Sequence, residues 1–207
     1  MTYIETVPTE RASGAVAQHY ESDRASFGHL PNFTRAFSLR PDVYSAWRQL
    51  NGAIKAGMDL RRYELVTLAA ARRLRSSYCA LAHGSLLADQ FLDPDTVHAI
   101  VTDHRSAGLD PVDVAIMDLA AKIVDDATSV TQADIDRLRT FGLTDADILD
   151  IIAAAAARCF FSKVLDALGV APDHEFTTLE PGLRVALTVG RPIAARPGHG
   201  DAGSSDA

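Results

Sequence analysis

Three side chains in one stretch of this 207-residue sequence have the types and spacing that chemistry needs. Cys79 and His83 are four residues apart, so on a helix they share a face. Glu64 lies upstream, at the head of ELVTLAAARRLRSSYCALAHGSLLAD. A carboxylate near a histidine fixes its tautomer and keeps it basic, and a basic histidine can take a thiol proton. Ser76 and Ser77 precede the cysteine, and either hydroxyl can cap a helix that starts there. With Ser76 as cap, Cys79 falls in the first turn. There the positive end of the helix dipole favours a thiolate, which is the nucleophilic form of the side chain.

Blander readings of the same residues stay open. Cysteine often serves as a small buried hydrophobe. Glu64 also suits the start of a helix, where the dipole favours an acid. A metal reading would take Cys79, His83 and Glu64 as three ligands, but no Cys-x-x-Cys or His-x-x-x-His pair supports it, and no metal or cofactor is expected. Tyr63 and Tyr78 flank the trio, as hydrogen-bond donors to a substrate or as wall residues. Cys159 sits beside Phe160 and Phe161 and is expected to be buried and inert. There is no Gly-rich phosphate loop, no Gly-x-Ser-x-Gly elbow and no His-Glu-x-x-His. The remaining histidines have no supporting constellation.

The elements that must hold these side chains read as helices. Val16 to Ser26 suits a short one, and Gly28 and Pro31 mark a turn after it. Pro41, Pro94 and Pro111 each suit a first helical turn, where the missing N–H costs nothing. Val43, Ala46, Trp47, Leu50 and Ile54 follow at helical spacing, and Gly57 ends that run. Thr131 with Asp134, and Thr144 with Asp147, are Thr-x-x-Asp capping arrangements. They open a helix over 132–140 and a long one over 145–168, closed by Gly169. Ile151 to Ala157 is almost all alanine and isoleucine, so helices can approach it on several sides, and it is placed centrally. LRVALTV, over 183–189, is the sole strand candidate. The fold expected is an all-α helical bundle with short connections.

Composition sets the bounds. Hydrophobic residues at 47% and charged residues at 23% exclude a disordered chain and leave enough apolar material for one core. A net charge of −7 with no basic patch argues against nucleic acid. Two distant cysteines are not a secreted disulfide scaffold. No signal peptide is read in MTYIETVPTE, and no run approaches a membrane span, so a cytoplasmic protein is expected. Beyond Arg191 the Gly, Pro, Ser and Asp content reads as a mobile tail.

The central stretch resembles the carboxymuconolactone decarboxylase and alkylhydroperoxidase D superfamily, in its peroxidase-related branch. That family's motif is a glutamate, eleven residues, then Cys-x-x-Cys-x-x-x-His. Glu64 matches the glutamate, Cys79 the second cysteine and His83 the histidine, whereas Ser76 replaces the first cysteine. The segments PNFTRAFSLRPDVYSAWRQLNGAI and VTQADIDRLRTFGLTDADILDIIAAAAARCFFSKVLDALGVAPD extend the likeness across Pro31 to Asp173. It implies an N-terminal arm over 1–30, a helical domain over 31–173 and an extension over 174–207, in a homo-trimer or hexamer. It also implies a peroxidase in which Cys79 attacks hydrogen peroxide or an organic hydroperoxide, His83 relays protons and Glu64 orients His83. A serine cannot close a disulfide, so oxidised Cys79 would need an external thiol reductant or Cys159. The alternatives are a non-redox lyase acting on a small cyclic acid by acid/base chemistry, and a helical oligomer whose motif is a relic.

Overall fold

The computed structural model describes residues 2–196. Among these the fold is all-α, with no strand. In chain order the helices are α1 (Gly14–Phe27), α2 (Asn32–Ala36), α3 (Pro41–Gly57), α4 (Leu60–Arg73), α5 (Ser77–Gln90), α6 (Pro94–Asp103), α7 (Pro111–Asp126), α8 (Gln132–Thr140), α9 (Asp145–Ala167) and α10 (Pro181–Leu187). No described helix is long and apolar enough to cross a membrane.

Local chemistry sets most boundaries. Pro41, Pro94 and Pro111 occupy the first turns of α3, α6 and α7. Both Thr-x-x-Asp pairs form capping boxes, at Thr131 for α8 and Thr144 for α9. Gly169 follows α9 with φ 74°, a left-handed backbone that an L side chain resists.

The sole strand candidate is a helix instead. LRVALTV lies largely in α10, which Pro181 opens and Glu180 caps by accepting from the backbone N–H groups of Gly182 and Leu183. Leu183 and Leu187, four apart, are the buried pair. The apolar run was ambiguous in period, and the proline with its capping acid decided it.

Helix α9 is the hub, packing against α3, α4, α5, α7 and α8. Its alanines explain this: Ala154 and Ala155 are buried with almost no side chain to fill, so neighbouring helices come close. Helix α4 is the other central piece, lying against α5, α7 and α9 with Leu65, Val66, Leu68, Ala70 and Ala71 fully buried. The residues following α10 return to the start of α5. Gly190 N–H donates to Ser77 Oγ over 2.7 Å, and a side chain at Gly190 would meet the Arg75 carbonyl. Of the expected tail, residues 192–196 are described, and Ala194 N–H donates to the Pro172 carbonyl. Its remainder lies outside the described residues.

Candidate active site

Four helices bring the chemistry together. Helix α5 opens at Ser77, so Cys79 is in its first turn, and His83 follows one turn later. Helix α4 supplies Tyr63 and Glu64, α3 supplies Trp47, Asn51 and Lys55, and α9 supplies Arg158. These side chains line a cavity of about 430 Å³, which Cys79, His83, Glu64, Tyr63 and Tyr78 all reach.

Glu64 and His83 form the tightest contact. His83 Nδ1–H donates to Glu64 Oε2 over 2.5 Å. Burial opposes ionisation of Glu64, but the His83 contact and the nearby Lys55 and Arg158 charges outweigh it and hold the carboxyl below its usual range. Lys55 Nζ lies 3.6 Å from the other carboxylate oxygen. His83 is pushed below its ordinary value, chiefly by burial and then by Arg158, against the pull of Glu64. A neutral imidazole that donates from Nδ1 carries its free lone pair on Nε2.

Cys79 is 2% exposed, yet its surroundings are not greasy. Arg158 Nη1 stands 3.6 Å from its Sγ. No hydrogen bond joins Sγ to His83 among the described residues. The ring is hydrogen-bonded to Glu64, and both side chains line the same cavity. The same guanidinium donates to Tyr63 Oη over 3.2 Å, and Tyr63 in turn donates to Asn51 Oδ1 over 2.5 Å. Burial raises the Tyr63 phenol, so it stays protonated.

Three expectations need correction. Ser76 occupies the N-cap position of α5, but its buried hydroxyl makes no capping bond. Cys79 therefore gains the open N–H groups of the first turn without a side-chain cap. Glu64 is not a helix-start acid: α4 begins at Leu60, and Asp59 caps it by accepting from Arg62 N–H. That leaves the carboxylate with His83 and Lys55 as its partners. His29 is not isolated either. It stands 3.4 Å from Asp173 and 3.6 Å from Glu175.

Tyr78 is wall and strut. Its ring packs on Phe33 and Phe176, and its hydroxyl donates to Asp173. Cys159 is partly buried, is not among the residues lining the cavity, and burial raises its thiol. It follows Arg158 directly and is turned roughly 100° from it about the helix.

Arg158, Lys55, Asn51 and Trp47 were not singled out from the sequence. Arg158 alone carried a signal: it is a lone cation following five alanines in a helix read as central. A charge there is expensive without a partner.

Known proteins resemble this chain over parts of its length and in fold. Residues 41–122 match the carboxymuconolactone decarboxylase family, a span that holds α3, α4, α5 and the Glu64–Cys79–His83 motif. An alkyl hydroperoxide reductase of Mycobacterium tuberculosis is 36% identical over 115 residues, covering 54% of this chain and 33% of the relative. This chain thus aligns with about a third of that protein's length. A peroxidase-related protein of Ralstonia eutropha with an alkylhydroperoxidase core superposes with a TM-score of 0.78 at 24% identity, over 84% of this chain and 94% of that one. A peroxidase-related protein of Silicibacter gives 0.74 at 22% identity, over 84% and 91%. A debrominase solved with 2,3,4-tribromopyrrole gives 0.70 at 14% identity, over 90% and 98%.

Residues 41–122 are thus similar to the carboxymuconolactone decarboxylase family, and the chain shares the all-α fold of alkylhydroperoxidase-type structures. Its sequence carries a single cysteine in the matched motif.

Proposed function

We propose that the protein is a single-cysteine peroxidase that reduces hydrogen peroxide or organic hydroperoxides with an external thiol as reductant. The observation that carries this reading is the common cavity: a sulfur in the first turn of α5 faces a histidine whose tautomer a buried carboxylate fixes. The identity to a mycobacterial alkyl hydroperoxide reductase supports it.

The geometry allows the following step. Thiolate Sγ attacks the distal peroxide oxygen, an S–O bond forms and the O–O bond breaks. The neutral His83 takes the proton of the attacked O–H on Nε2 and returns it to the leaving oxygen, so alcohol or water departs and a sulfenate remains. Glu64 steadies the transient imidazolium through Nδ1–H. One external thiol then condenses with the protonated sulfenic acid, releasing water and leaving a mixed disulfide. A second thiol frees Cys79. With Nδ1 engaged by Glu64, Nε2 is the nitrogen of His83 free to work on the substrate.

The test is exposure of folded protein to a stoichiometric hydroperoxide with a sulfenic-acid trap, read by peptide mass. Labelling at Cys79 and loss of peroxide are expected, and both should vanish in Cys79→Ser. An unlabelled Cys79 in folded protein defeats the reading. Turnover of a cyclic acid by Cys79→Ser would move the assignment to acid/base lyase chemistry on Glu64 and His83.

A further inference from the structure

The cavity wall carries an unmatched cation. Asp23 is matched by Arg48, whose Nη1 stands 3.1 Å from its carboxylate. Glu64 is matched by Lys55 at 3.6 Å. His83 is neutral and Tyr63 and Tyr78 are held as phenols, each raised first by burial. Among the described residues no carboxylate is in ion-pair contact with Arg158, although its charge reaches Glu64. It is 4% exposed, and among the described residues its hydrogen-bond partners are Cys79 Sγ and Tyr63 Oη alone, with none for its Nε–H.

A guanidinium does not lose its proton, so the site cannot become neutral at Arg158. The rings of Trp47 and Phe161, with centroids 5.7 Å and 5.5 Å from the guanidinium carbon, offset part of its burial. The rest falls to the group that can still change charge, and that is the thiol 3.6 Å away.

From this geometry we infer that Arg158 is the cation that pairs with the negative charge the sulfur of Cys79 carries as it reacts. The inference rests on the reading of Cys79 as the reacting sulfur. It extends that reading by assigning the source of ionisation to α9 rather than to His83. The charged and titratable groups that line the cavity with the sulfur are Arg158 from α9, Tyr63 and Glu64 from α4, Tyr44, Arg48 and Lys55 from α3, Asp23 from α1, and Tyr78 and His83 from α5 itself. Through the peroxide step the sulfur keeps its negative charge, first as thiolate and then as sulfenate, so the same cation serves both states. Arg158 is then a catalytic residue, in contact with the reacting atom throughout.

The test uses the whole protein and needs no peroxide. Thiolate absorbance near 240 nm is followed against pH, with Cys79→Ser as the blank. Burial raises the thiol of Cys159, which therefore does not contribute on the acid side. The midpoint so obtained for Cys79 is the reference against which the variant is read. In Arg158→Met the midpoint should rise by a unit or more, and alkylation of Cys79 at pH 6 should slow about tenfold. Methionine is chosen because it fills the slot between Trp47 and Phe161 without a buried charge. If Arg158→Met fails to fold, Arg158→Gln takes its place in the same titration. An unchanged midpoint in the folded variant overturns the inference. A midpoint that rises on loss of Arg158 in a protein that ignores peroxide would sink the peroxidase reading and leave the pairing of Arg158 with the sulfur standing.

Discussion

His83 and Glu64 are joined by one hydrogen bond of 2.5 Å that spans two helices and fixes which ring nitrogen carries the proton. Glu64→Gln should remove that control, because an amide can present either an acceptor or a donor to Nδ1. Peroxide-dependent sulfenic acid formation at Cys79 is expected to fall by about 10²-fold, in line with losses for positioned acid/base groups. Alkylation of Cys79 should change far less. Stopped-flow peroxide consumption against iodoacetamide trapping separates the two.

The pH dependence follows from the same pair. The His83 value is depressed, so the unfolded chain binds more protons than the folded one below the ordinary histidine value of about 6.5. Glu64 is depressed too, so its stabilisation is complete above about pH 4.3 and is lost as the pH falls through its folded value. Both act in one direction, and urea midpoints should decline steadily from pH 7 towards pH 4. The peroxide rate should fall on an acid limb lying below pH 6.5, as Nε2 becomes protonated. A rate that rises on acidification would contradict a neutral His83.

Ser76→Cys should convert the chemistry. The serine is fully buried, makes no capping bond and sits three residues before Cys79 at the helix start, so a thiol of similar size fits. Peroxide should then yield an intramolecular disulfide in place of a trappable sulfenic acid. Intact mass and loss of the sulfenic label after oxidation would show it.

Gly190→Ala should disturb the entrance to α5. An added Cβ would come within 2.0 Å of the Arg75 carbonyl, where backbone has no easy way to yield. Arg75 already holds a left-handed φ of 56°. A loss of about 1–3 kcal/mol is expected, the usual range for overpacking. Chemical denaturation would measure it, and faster alkylation of Cys79 would report loosening of the first turn.

Much of this was legible along the chain because it is local. Prolines in first turns, two Thr-x-x-Asp boxes and the Glu64, Cys79, His83 spacing are all short-range signals. What failed to show is long-range. Arg158 meets a sulfur 79 positions away, and Lys55 and Asn51 reach the site from a helix read only for its apolar face. The α10 run stood only as a strand candidate because seven mixed apolar residues carry no clear period. His29, Asp173 and Glu175 converge only after the chain returns past α9, which no spacing rule anticipates.

Trp47 is the sole tryptophan of the chain, stacked on Phe161 at 4.8 Å and lying against Arg158. Its indole therefore sits within one side chain of the sulfur and on the wall of the cavity. The protein carries its own optical probe: emission from a single fluorophore should register occupancy of the chamber and the change from thiolate to sulfenate, with no label attached.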